Sequence, residues 1–456
     1  MKRSEAGRER YELVICDARV LTPYGLLTTS IGVANGRIAA LGRGGDLVGD
    51  ETIDAHGLWV LPGAIDGHTH MEAPAFGIQS RDTLESGTKA AAAGGVTTIV
   101  DFTVASGATL GHEIESRITA ARRVTVDVAL HAEVVGWRSG RADEVADAVR
   151  LGVRSFKFYT VYAERSDPEE LADAFRAIAA VDGVAMVHAE DAEIVRAASD
   201  RLSREERRHA DALPKSRPTV AESTAISLVA ALAERAGARL HIAHVSSGDG
   251  CEAVRRAKAR GVRITAETCP HYLVLDEGMY ERADGRTWSV IPPLRTAADR
   301  EALWSALRDG TIDAVVTDHC PFFRADKEVG DDVLEIPCGL PGVETFLPIL
   351  YSEGRARGFA PERLARLSAE ASSRIFGLSP RKGRIVVGAD ADLVLYDPER
   401  TWAVSAARLH MQSDVSPYEG LAVRGAVVRT LVRGRSVWAD EESAGVPGWG
   451  RFVPAV

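Results

Sequence analysis

The sequence predicts an α/β protein, a (β/α)8 barrel joined to a small β-sandwich built from both termini. Three observations predict it. Strand-type and helix-type segments alternate through the middle of the chain, and parallel strands need helical crossovers. Eight strand segments fall within roughly 310 residues, which suits such a barrel with a few long loops. Both ends of the chain carry short Val-, Ile- and Leu-rich runs broken by glycine turns, each a poor core alone.

Residues 11–20 (YELVICDARV), 30–34 and 36–41 read as strands of the first terminal segment. Barrel strands are expected at 58–66, 97–103, 124–131, 155–159, 185–188, 240–244, 263–267 and 314–317, short apolar runs bounded by turn residues. Helical segments are expected at 83–93, 142–151, 168–180, 219–236, 250–260 and 300–308. The far end supplies strands at 383–396, 401–405 and 423–438. The expected division is 1–57 for the N-terminal part of the sandwich, 58–378 for the barrel, and 379–456 for the C-terminal part and tail. An open doubly wound sheet is the rival, but no G-x-G-x-x-G follows the first strand. That favours the closed TIM barrel.

Composition narrows the function. Of the 456 residues, 55 are basic and 65 acidic, a formal charge of −10. Nucleic acid and an anionic membrane surface call for the opposite sign, so neither is an expected partner. No apolar run approaches the ~18 residues of a membrane span. The start, MKRSEAGRERYEL, is charged with no apolar segment behind it and does not read as a signal peptide. Cys16, Cys251, Cys269, Cys320 and Cys338 are odd in number and scattered, which points to a reducing cytoplasm.

Polar residues gather at one end of the expected barrel. His68 and His70 follow the first strand, Lys157 sits late in the fourth, and His188 ends the fifth. His244 ends the sixth, and Asp318 closes the eighth. C-terminal strand ends converge on one mouth, so side chains far apart in sequence would face a single cavity. On an extended strand residues two apart share a face, which lets both imidazoles of H-x-H reach one metal ion. Alone the motif is weak; joined to His188, His244 and Asp318 it is strong. Neutral imidazoles with a carboxylate suit zinc, and accept manganese or cobalt. Lys157 is the anomaly. It pairs with a carboxylate at the mouth, or its neutral amine has taken up CO2 to form a carbamate, and spacing does not decide between the two.

The chain resembles the cyclic amidohydrolases of the hydantoinase and dihydropyrimidinase branch. The resemblance is carried by PGAIDGHTHMEAP (62–74), AAAGGVTTIVDF (91–102), SFKFYTVY (155–162), VHAED (187–191), HIAHVSS (241–247) and ETCPHYL (267–273). It continues through IPPLR (291–295), VTDHCPF (316–322), IPCGLPGVE (336–344) and DVSPYEGL (414–421), in family order over nearly the whole chain. It implies two divalent ions. His68, His70 and Asp318 would bind the more buried one, His188 and His244 the more exposed one, and carbamylated Lys157 would bridge them. Tyr162 would donate to the developing oxyanion, and the backbone at Ile291 and Cys338 would hold the cyclic amide edge. The family commonly has Ser or Asn at the first of those two positions and Asn at the second. The resemblance also implies a homotetramer.

The reaction implied is hydrolytic opening of a cyclic ureide or imide, a 5,6-dihydropyrimidine or a 5-substituted hydantoin, to an N-carbamoyl amino acid. Asp318 would carry the proton from water to the leaving nitrogen. Met71, Phe76 and Tyr159 are expected to shape the pocket for the ring substituent. Glu72 would repel a substrate carboxylate by about 1–4 kcal/mol at close range, which favours substrates without one. An allantoinase or another cyclic-ureide hydrolase is the alternative, and a non-catalytic scaffold relative a more distant one. Cys320 and Cys338 read as pocket-wall residues. His131, His241 and His271 read as satisfied strand or loop histidines, and His319 stays open between a supporting and an ordinary role.

Overall fold

The structure, a computed structural model, describes residues 2–3, 9–42, 45–75, 77–439, 442–443 and 448–456. The expected first strand is two strands. Trp59–Pro62 pairs with Leu393–Ala403 in the terminal sheet, and only Ala64–Thr69 enters the barrel. The backbone changes sheets at Gly63, where a Cβ would lie 2.1 Å from Thr97 Oγ1.

From Ala64–Thr69 the barrel runs through Val96–Phe102, Asp127–Glu133, Ser155–Tyr159 and Val184–His188. Arg239–Ile242, Ile264–Thr268 and Ala314–Val315 complete it, all eight strands parallel and in chain order. The last strand is shorter than expected because Thr317 gives its N–H to the Asp66 carboxylate at 2.9 Å, not to a strand carbonyl. A parallel bridge between Thr69 and His319 brings the two ends of the sheet together.

The crossover helices follow from local chemistry. Pro168–Ala180 starts where Asp167 accepts from the N–H groups of Glu169 and Glu170 at 2.9 Å, while Glu170 reaches back to the Asp167 N–H. Its buried face is Leu171, Ala174, Phe175 and Ile178, the helical spacing of one stripe. Thr219–Ala236 ends at Gly237 in the left-handed region. Leu84–Ala93, Ala142–Arg150, Gly248–Ala259 and Ala297–Asp309 lie where the periodicity predicts helices.

The terminal segments form one mixed sheet of ten strands among the described residues. Glu9–Thr22 links its halves. An irregularity between Ile15 and Ala18, with Asp17 at φ 56°, bends this strand. Its first part pairs with Val48–Asp54 and its end with Trp59–Pro62. Ile15, Val20, Ile31, Leu393 and Leu431 form a core drawn from both termini. The expected 423–438 strand is a hairpin of Ala422–Val432 and Arg435–Ala439 turning at Arg433 and Gly434. Beyond it, the chain returns beneath the barrel, where Val128 donates to Arg451 O and accepts from Val453 N. Buried Lys382 ties the two parts, meeting Asp127 of the barrel at 2.8 Å and Asp392 at 2.5 Å. Among the described residues no helix is long and apolar enough to cross a membrane.

Candidate metal centre

The barrel floor is apolar, with Ile65, Val100, Ala129, Phe376 and Val453 packed together. Above it, at the C-terminal strand ends, polar side chains converge. His68 ends the first strand with His70 just beyond, and their Nε2 atoms are 3.1 Å apart. Asp318, past the last strand, places Oδ1 3.1 Å from each of those nitrogens. His188 Nδ1 and His244 Nε2 stand 3.1 Å apart, and the His68 and His244 rings are 5.3 Å apart. Lys157 is buried between them, its Nζ 5.2 Å from the Phe102 ring and 5.4 Å from the Tyr159 ring. Among the described residues it has no hydrogen bond or ion pair, so the lysine–carboxylate pair that spacing left open is not formed.

Local backbone strain accompanies this arrangement. His244 (φ 35°), Asp318 (φ 52°) and Tyr162 (φ 74°) all adopt left-handed conformations. Such conformations cost non-glycine residues on the order of 1–3 kcal/mol and persist where the surroundings impose them.

Hydrogen bonds fix which ring nitrogens are bare. His68 Nδ1 meets the Glu267 carboxylate at 2.6 Å, and burial lowers the imidazole well below its ordinary range. The neutral ring therefore donates Nδ1–H to Glu267 and presents a lone pair at Nε2. That lone pair faces another acceptor, Asp318 Oδ1, with no proton between them. His188 is set the opposite way, with Nε2–H given to Glu190 at 2.8 Å and Nδ1 turned to His244. Glu190 in turn pairs with buried Arg217 at 2.6 Å. His244 Nδ1 is buried without a partner. Two acceptors 3.1 Å apart repel unless a cation lies between, so this donor set fits divalent metal.

Other groups titrate as the surroundings dictate. Burial pushes the Lys157 ammonium down to about 8 against the pull of Asp318 and Glu267. Burial alone would raise Asp318, but the hydrogen bond with His70 and the nearby His244 hold it down to about 2. Burial raises the Tyr162 phenol above its ordinary range, so it stays a donor.

A cavity of about 440 Å³ opens over this cluster. Met71, Tyr159, Tyr162, Ile291 and Cys338 line it, as do His70, Lys157, His188, His244 and Asp318. His68 lies beneath. Phe76 falls outside the described residues.

Comparison with known proteins bears on what this cavity is. Residues 59–437 match the amidohydrolase family. The chain belongs to that family. Its similarity within the amidohydrolases is to ring-opening members. D-phenylhydantoinase of Escherichia coli O81 (strain ED1a) is 37% identical over 414 residues, 88% of this chain and 89% of that protein. The solved dihydropyrimidinase of Brevibacillus agri NCHU1002 superposes with a TM-score of 0.93 at 33% identity, over 97% of this chain and 98% of that one. L-hydantoinase of Arthrobacter aurescens does so with a TM-score of 0.90 at 31% identity, over 97% and 100%.

The structure of this amidohydrolase corrects three expectations. Glu72 does not line the cavity; it pairs with Arg117 at 3.0 Å, and Arg117 also binds Asp101. Its charge is spent on that wall, so it is not what repels a substrate anion. His271 is buried with Nε2 unpartnered, not satisfied. His241 meets Thr265 Oγ1 at 2.8 Å through Nδ1, but its buried Nε2 makes no hydrogen bond, so it is not fully satisfied either. His131 is satisfied, by Ser155 Oγ at 2.8 Å and Gly67 O at 2.9 Å. His319 supports the Asp318 turn, with Nε2 on Asp82 at 3.0 Å and Nδ1 accepting from Gly342 N–H at 3.1 Å. Sequence reasoning missed Glu267, Glu190 and Arg217. The first two carried a signal, a carboxylate at or just past a barrel strand end in ETCPHYL and VHAED. Arg217 carried none, because it enters from the loop before a helix.

Proposed function

We propose that the cavity hydrolyses the ring amide of a cyclic ureide or imide, a 5,6-dihydropyrimidine or a 5-substituted hydantoin, to an N-carbamoyl amino acid. His68, His70 and Asp318 would hold one divalent ion, His188 and His244 a second, with Lys157 as its carbamate between them. Zinc is the first choice, manganese or cobalt the alternatives. When bound, such a pair supplies a water acidified towards neutrality and a polarised ring carbonyl.

The observation that carries this reading is the bare His68 Nε2 facing Asp318 Oδ1 at 3.1 Å, with Glu267 fixing the tautomer. The unpaired, buried Lys157 supports the carbamate, since a desolvated amine reaches its neutral, nucleophilic form more readily. The names of the relatives support the substrate class.

An amide nitrogen leaves poorly, so the protein must supply protons in sequence. Tyr162 would donate its phenol hydrogen to the carbonyl oxygen as the carbon becomes tetrahedral. Asp318, ionised and beside the reacting centre, would take a proton from the attacking water and return it to the ring nitrogen as the C–N bond breaks. The backbone at Ile291 and Cys338 would hold the amide edge, with Met71 and Tyr159 against the substituent. The whole would act as a cytoplasmic homotetramer.

The test is incubation of zinc-loaded protein with dihydrouracil, hydantoin, allantoin and dihydroorotate, with ureido products measured. Opening of the first two is expected. Opening of allantoin alone would favour the allantoinase alternative, and no product from any of the four would favour a scaffold.

A further inference from the structure

The cavity wall is unevenly charged. Lys157, the residue assigned above to the carbamate, is the one lysine or arginine that lines it among the described residues, whereas Asp101, Glu133, Glu164 and Asp318 all reach it. Two of these acids are already engaged. Asp318 belongs to the metal cluster, and Asp101 binds Arg117, Thr69 Oγ1 and the Met71 N–H. Arg117 and Arg217 lie behind the wall, each committed to a carboxylate, Asp101 and Glu190. The remaining two acids form no ion pair among the described residues.

Glu133 ends the third strand and is held on three sides. Its Oε1 accepts the Tyr159 phenol at 2.7 Å, and its Oε2 accepts the Ala105 N–H at 3.1 Å. Its own N–H donates to Thr103 Oγ1 at 2.9 Å. A carboxylate has about four lone-pair sites, so each oxygen keeps acceptor capacity for a ligand. Glu164, exposed on the loop after the fourth strand, adds a second negative charge at the mouth.

We propose that Glu133 and Glu164 select the ring substituent by charge, favouring one that ends in a cation or a hydrogen-bond donor and disfavouring a carboxylate. This rests on the ring-opening reading above and names the substrate class within it. Glu133, fixed before ligand arrives, reads the donor at close range; Glu164, in water, contributes a screened field.

The test compares kcat/KM for three hydantoins of matched substituent length: 5-(4-aminobutyl), 5-pentyl and 5-(3-carboxypropyl). At low salt the amino substrate should exceed the carboxylate one by about tenfold or more, with the ratio falling as salt is added. Glu164→Gln should reduce that ratio, and Glu133→Gln with Glu164→Gln should bring it close to unity. A parent enzyme that opens the carboxylate substrate as readily as the amine overturns the proposal, as does a ratio unmoved in the double variant. If the pentyl substrate is not opened at all, the ring-opening reading fails and this inference with it. If it is opened and the ratio is flat, only the charge selection fails.

Discussion

Glu267 locks His68 in one tautomer, its carboxylate 2.6 Å from Nδ1 with both side chains fully buried. The other carboxylate oxygen lies 2.9 Å from His241 Nε2 without making a hydrogen bond to it, so the hydrogen bond of this carboxylate goes to His68. A glutamine keeps the shape but can present an N–H where His68 needs an acceptor. Glu267→Gln should therefore weaken metal binding about 10–100-fold, measured by competition with a chromophoric chelator. Unchanged affinity would show that the tautomer is set by something else.

Lys157 is the next lever. Parent protein should carry about two divalent ions per chain by atomic emission, the number a bridged pair requires. Lys157→Ala should lose metal and ring-opening activity together. A fully active variant would remove the carbamate from the account.

Tyr162→Phe deletes one donor and little volume. Removing a single oxyanion donor costs about 10²–10³ in kcat, and metal content should stay that of the parent. Undiminished turnover would dismiss the proposed hydrogen bond.

Lys327 ties the segments that present Ile291 and Cys338. Its ammonium donates to the carbonyls of Thr287 and Ser289 at 2.9 Å and of Gly339 at 2.6 Å. Lys327→Met leaves those carbonyls unsatisfied and should destabilise the fold by about 2–5 kcal/mol in urea titration. KM should rise at the same time if Ile291 and Cys338 hold the amide edge as proposed, because both loops relax. An unaltered unfolding midpoint would contradict this.

His131 gives the pH dependence. Burial lowers its imidazole to about 3 from an ordinary 6.5, so the native ring stays neutral while the unfolded chain takes up a proton. Stability is full above 6.5 and is lost as pH falls towards about 3, with a slope approaching ~1.4 kcal/mol per pH unit for this one proton. His131→Gln should flatten the parent slope between those limits. Identical slopes would mean that His131 does not take part.

The alternation of strand and helix, the H-x-H pair and the strand-end polar residues are legible in sequence because they obey local rules of period and position. The helix over Pro168–Ala180 is readable for the same reason: its cap, its first-turn proline and its buried stripe all lie within a few residues. The need for glycine at 63, where the chain changes sheets, is not, because it comes from Thr97, which only the neighbouring strand brings into contact. Glu72 shows the same limit from the other side. Its position beside His70 reads as a cavity charge, yet Arg117, 45 residues away, draws it into the wall. The sequence by itself determined which residues could bind metal and which strands carry them. Only the tertiary structure decided which ring nitrogen of each histidine is bare, which carboxylates are free, and what charge the cavity presents. Those properties arise from partners that chain distance does not predict, meeting where burial makes each hydrogen bond and each unpaired charge count.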